Sequence, residues 1–86
     1  MNNLLKKYIN SLKIEQLKEF SLKNDINLTN EELCFILDLV KNNLDDILVN
    51  DSKYLEIVKN KIDSENYKKI EKLFIYYKNR YKGYLF

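Results

Sequence analysis

Almost nothing in this chain of 86 residues is built to interrupt a helix: it holds no proline and a single glycine, Gly83. Proline removes a backbone donor and glycine carries a large entropic cost inside a regular element. Their scarcity leaves polar clusters as the punctuation: Asn24-Asp25, Asn42-Asn43, Asn50-Asp51 and Asp63-Ser64. Between these clusters apolar residues recur three and four apart, the period of one helix face. No segment alternates with the period of two that a half-buried strand shows. The chain therefore reads as all-α, a compact bundle of about five short helices in one domain over residues 1–86.

At this length the core must come from packing alone. The hydrophobic fraction of 45% and the aromatic fraction of 13% supply it, toward a total stability of roughly 4–13 kcal/mol. Cys34 is the only cysteine, so no disulfide closes within the chain, and the lack of histidine excludes a His–Cys metal cluster. Without histidine, general acid–base catalysis would need a carboxylate or lysine strongly shifted by burial. There is no phosphate loop and no nucleophile motif. The expectation is a protein that is not an enzyme and has no cofactor and no metal. Met1–Lys7 lacks the apolar run of a signal peptide, and nothing approaches the ~20 apolar residues of a membrane span. With the lone cysteine, this points to the cytoplasm and to no membrane partner.

Five segments carry the helical period. The first, about 2–11, has Leu4, Leu5, Tyr8, Ile9 and Leu12 at this spacing; the second, about 13–24, repeats it with Ile14, Leu17 and Phe20 before breaking at Asn24-Asp25. The third, about 30–43, opens with a capping box, Thr29-Asn30-Glu31-Glu32. The Thr29 hydroxyl there meets the Glu32 amide, and the Glu32 carboxylate returns to the Thr29 amide. Leu28 and Leu33 are spaced as a hydrophobic staple around it. Leu33, Phe35, Ile36, Leu37, Leu39 and Val40 cover most of the circumference, which predicts a central helix. Cys34 on that helix reads as a small, shielded, inert core residue.

Residues 44–49 are either a short helical turn or an apolar loop. A fourth helix, about 51–62, starts at Asp51 or Ser52 and points Tyr54, Leu55, Val58 and Ile62 inward. The last, about 65–82, starts at Asp63 or Ser64, ends near Gly83 and is expected to be the longest. Its seam is Tyr67, Ile70, Phe74, Tyr77, Tyr81 and Tyr84. The carboxylates of Glu31-Glu32 and Asp45-Asp46 are adjacent in sequence, so on a helix they point about 100° apart and do not converge. The run from Asp45 to Asp51 lacks the alternating ligands of a calcium loop.

The run Ile14-Glu15-Gln16-Leu17, then Ile26-Asn27-Leu28-Thr29-Asn30-Glu31-Glu32, the Asn42-Asn43 link and the ending Asp63 with Ile70-Glu71-Lys72-Leu73-Phe74 resemble the YqfT-like proteins. These are short chains of unknown function from low-GC Gram-positive bacteria. The resemblance spans roughly 13–77, and the first helix and the tyrosine-rich tail depart from it. It implies a cytoplasmic bacterial protein and supplies no function, site or cofactor.

Charge is more informative than its net value of +2. From Tyr67 to Phe86 six cations stand against Glu71 alone, about +5; from Asn24 to Asp51 seven acids stand against Lys41, about −6. Either the two regions face each other within the fold or they are solvated faces, or the basic helix meets an acidic partner or a phosphate backbone. The helices that follow turns offer acids and aliphatics rather than base-reading side chains, which disfavours a helix-turn-helix. Tyrosine and arginine anchor interfaces, and the tyrosines thicken toward the end of the chain. The candidate partner-binding residues are Lys72, Ile75, Tyr76, Arg80, Tyr81 and Tyr84. The expected function is a helical protein–protein interaction module that binds an unknown protein or self-associates through its C-terminal helix. The alternative is a weak, sequence-independent nucleic-acid binder using the same helix.

Overall fold

The computed structural model describes residues 3–80. Five helices follow one another: α1 (Asn3–Ser11), α2 (Ile14–Lys23), α3 (Asn30–Val49), α4 (Asp51–Lys61) and α5 (Ser64–Arg80), with no strand among the described residues. Helix α3 packs against α1, α2 and α4, and α5 lies against α4. The middle helix is thus the hub that its apolar content predicts.

Local chemistry fixes how α3 begins. Thr29 Oγ1 accepts from the Glu32 amide at 3.1 Å, and Glu32 Oε1 accepts from the Thr29 amide at 2.9 Å. Both arms of the capping box are therefore closed, satisfying two backbone donors that a helix start leaves open. Leu28 and Leu33, flanking the box, are both in the core, and Leu33 is fully enclosed.

The turn into that box is equally specified. Ile26 N donates to Ser21 O at 2.9 Å and Asp25 N to Leu22 O at 3.1 Å, the paired bonds of a Schellman ending. Asp25 occupies the left-handed position, φ 60°, where aspartate is tolerated better than most residues that carry a Cβ. This ending turns Ile26 into the interior, where it is 2% exposed. A segment that sequence reads as a break therefore delivers two core residues, Ile26 and Leu28.

The core joins Ile26, Leu28 and Leu33 to Val58 and Ile62 of the α4 end and Tyr67 of α5, with Ile14, Leu17, Ile36, Leu39, Leu55, Ile70 and Leu73 packed around it. Asp63 precedes the first residue of α5, and its Oδ1 accepts from the Asn66 amide at 3.0 Å. Asn66 also donates to the Asn27 carbonyl at 3.1 Å, tying the start of α5 to the loop before α3.

Several expectations need correction. Of the two alternatives for residues 44–49 the helical one holds, but the third helix does not end at 43: it continues to Val49 past a kink at Asn43 (φ −133°, ψ 21°). The Asn43 side-chain amide donates to the Leu39 carbonyl at 2.9 Å, the group that its backbone N–H would meet in a regular helix. Helix α3 is therefore longer than α5, 20 residues against 17. Helix α4 is flanked by Asn50 and begins at Asp51, whose carboxylate accepts from the Ser52 amide at 2.8 Å.

Cys34 is exposed, not shielded. It shares a helix face with Glu31 and Asp38, three and four residues away, and those acids keep that face in water. Phe35, Ile36, Leu37, Leu39 and Val40 are only half-buried, because α1, α2 and α4 cannot surround the hub. In α1, Leu4 and Tyr8 are exposed, at 75% and 61%. Helix α1 packs chiefly on α3, which leaves both side chains at the surface.

Thr29→Ala removes one arm of the capping box and should destabilise the protein by ~1 kcal/mol, with Thr29→Ser close to neutral. Denaturant unfolding of both variants measures this. Equal losses would mean that the hydroxyl does not hold the start of α3.

Candidate interaction surface

Helix α5 passes from core to solvent along its own seam. Tyr67 is buried, with its hydroxyl donating to Glu71 Oε2 at 3.1 Å; Ile70, Leu73 and Phe74 are half-buried; Tyr77 is 39% exposed. Beside it Ile75 and Tyr76 are 48% and 54% exposed. Tyrosine suits such positions, because its ring packs while its hydroxyl stays wet.

The aromatic surface is not confined to α5. The rings of Phe20 on α2 and Tyr77 lie 6.3 Å apart, and the Tyr76 ring stands edge-on to Tyr77 at 5.1 Å. Phe20, which continues the apolar spacing of Ile14 and Leu17, is 43% exposed. The inward line of α2 runs instead through Ile14, Leu17 and Ser21, and Ser21 is buried. The serine in an otherwise apolar i, i+3, i+7 series was the available signal.

Of the candidate residues, Lys72, Ile75, Tyr76 and Arg80 are all exposed, on the outer side of α5. Arg80 Nη1 donates to the Tyr76 hydroxyl one turn back, at 3.3 Å. Tyr81 and Tyr84, and the expected cap at Gly83, lie outside the described residues.

The charge asymmetry is partly consumed inside the fold. Lys69 reaches the Asp25 carboxylate at 3.3 Å and its carbonyl at 2.8 Å, and Lys78 pairs with Asp51. Both contacts join α5 to the acidic middle of the chain. Lys68 and Lys72 face outward and form no ion pair among the described residues.

The acidic run is likewise divided among separate partners. Asp45 pairs with Lys6 at 3.2 Å, Asp51 with Lys78, and Asp46 accepts from the Tyr54 hydroxyl and from Asn50 at 2.7 Å. The Tyr54 bond, followed by that of Asn50, holds the Asp46 carboxyl below its ordinary range and pushes the Tyr54 hydroxyl up. A cleft of about 520 Å³ opens here, lined by Lys6, Lys41, Asp45, Asp46, Lys53 and Tyr54 among others. Most of its charges are already paired across it, Lys53 with Asp46 at 3.7 Å included. No group of three metal-ligating side chains gathers among the described residues, and no described helix is long and apolar enough to cross a membrane.

Lys78 holds the Asp51 carboxyl below its ordinary 3.8. A carboxyl with a depressed native value releases its proton more readily when folded. Its stabilisation is therefore complete above about pH 4 and is lost as the pH falls through the native value. Asp51→Asn should lower stability at neutral pH and flatten the loss of stability on acidification. Thermal unfolding from neutral to acid pH tests this, and parallel curves for the variant and wild type would contradict it.

No family model, curated protein or solved structure matches the chain.

Proposed function

We propose that this protein is a non-enzymatic helical module of the cytoplasm that docks a protein through the outer face of α5 and the adjoining rim of α2. The observation that carries this is the continuous exposed row of Phe20, Tyr77 and Tyr76, drawn from two helices and held ring to ring. Tyr76 lies between Lys72 and Arg80 around the helix, with exposed Ile75 beyond Lys72. Rings already in contact have less freedom to lose when a partner arrives. Aromatic and arginine side chains in such a cluster are the types that dominate interface energies.

Nucleic-acid binding would use the same helix differently, with ring faces open for base stacking and cations following a backbone. Here the rings engage one another, and Lys69 and Lys78 are held by Asp25 and Asp51. That arrangement favours an apolar contact with a protein.

Tyr76→Ala tests the proposal. The residue is exposed, so folding stability should change by no more than ~0.5 kcal/mol, whereas affinity for a partner captured from the host should fall about tenfold or more. Binding by wild type should change only severalfold between 50 and 200 mM salt. A phosphate-backbone complex would lose ~10³–10⁵ over that range. A variant that loses stability and not binding, or a partner that proves to be nucleic acid with the steep salt dependence, would overturn the proposal.

A further inference from the structure

The face of α5 carries a sign as well as a shape. Lys68 and Lys72 are exposed without an ion pair among the described residues, and Arg80 is exposed beyond them. Of the acids near them on the helix, Glu71 is half-buried and accepts from Tyr67, while Glu65 is exposed one turn before Lys68. Two copies meeting α5 to α5 would bring these cations together, and like charges juxtaposed across an interface oppose its formation.

The chain holds a face of the opposite sign. On the first half of α3, Glu31, Cys34 and Asp38 are all exposed, and neither acid forms an ion pair among the described residues. At about 100° per residue the three lie within one sector of roughly 60°. Half-buried Leu37 lies at its edge, and half-buried Lys41 follows one turn beyond Asp38. Beyond the Asn43 kink the helix bends away, and Asp45 is taken by Lys6. The two faces have similar lengths along their helices. Glu31 and Asp38 bracket Cys34 and Leu37 over about 10 Å, and Lys72 and Arg80 bracket Ile75 and Tyr76 over about 12 Å. They also belong to different helices, which share α4 as a neighbour. One face can be occupied while the other remains open.

Resting on the reading of α5 as a docking face, we infer that its occupant is the Glu31–Cys34–Asp38 face of α3 in a second copy of this chain. Lys72 and Arg80 of one copy oppose Glu31 and Asp38 of the next, with Ile75 and Tyr76 over Cys34 and Leu37. The contact uses two different patches, so it is heterologous. It propagates into chains or closes into a ring, and it does not stop at a two-fold dimer.

Sedimentation of the full chain, in reducing buffer at low salt and over a range of concentrations, tests this. Wild type should associate beyond the monomer. One variant carries Lys72→Glu with Arg80→Glu, and a second carries Glu31→Lys with Asp38→Lys; circular dichroism verifies that both are folded. Each alone should associate at least tenfold more weakly than wild type, because its two faces then share one sign. An equimolar mixture should recover association, because the faces are again complementary. In wild type, labelling of Cys34 by a thiol reagent should slow severalfold as concentration rises. A wild type that stays monomeric, or variants that do not rescue each other, would overturn the inference. If the monomer nevertheless captures a protein that Tyr76→Ala releases, the docking face stands and only its occupant is wrong. If it captures none, both fall.

Discussion

Leu33 is the residue around which the rest is arranged. It is fully enclosed, and burying such a side chain contributes roughly 1.5–3 kcal/mol, a large share of what a chain this short can muster. Its enclosure depends on events on both sides of it in sequence. The Schellman ending of α2 throws Ile26 inward, the capping box starts α3 at one defined residue, and Leu28 closes over the first turn. Only then do Val58, Ile62 and Tyr67 have a surface to pack on. Asn66, bridging Asp63 and the Asn27 carbonyl, fastens the start of α5 to the same place.

Everything farther from this point is less enclosed, and the surface properties follow. Ile47 and Tyr54 are buried near the kink, outside the main cluster, where the Tyr54 hydroxyl needs Asp46 as its acceptor. Helix α1 meets the molecule through α3, so Leu4 and Tyr8 remain at the surface. The far end of α5 leaves the core for the same reason, and its seam emerges as an aromatic row beside Phe20. An interaction surface here is the consequence of a core concentrated at one end of the hub, with apolar side chains left over at the other.

What the sequence made legible was what local chemistry decides. The Thr29–Glu32 box is a reciprocal bond between near neighbours, so four residues suffice to recognise it. The passage of the α5 seam from Tyr67 to Tyr77 was legible in residue types that tolerate a half-wet site. Asn43 was legible as a break but not as a kink, because the Leu39 carbonyl finds the Asn43 side chain and the helix runs on. Cys34 was misread, and the exposure of Phe20 was not legible, for a tertiary reason. Periodicity tells which residues share a face but not whether another helix arrives to cover it. The charge asymmetry was visible as a tally. Its division, into Lys69 and Lys78 held inside and Lys68 and Lys72 left outside, needed the packing of α5 to be known.

Native-state hydrogen exchange measures most directly whether the fold hangs on the start of α3. Amides in the first half of α3, the second half of α4 and the first half of α5 surround the core cluster. They should exchange last, at the rate set by global unfolding, while those of α1 exchange much sooner through local opening. If α1 were as strongly protected as the residues around Leu33, stability would be spread evenly over the five helices and this account would be wrong.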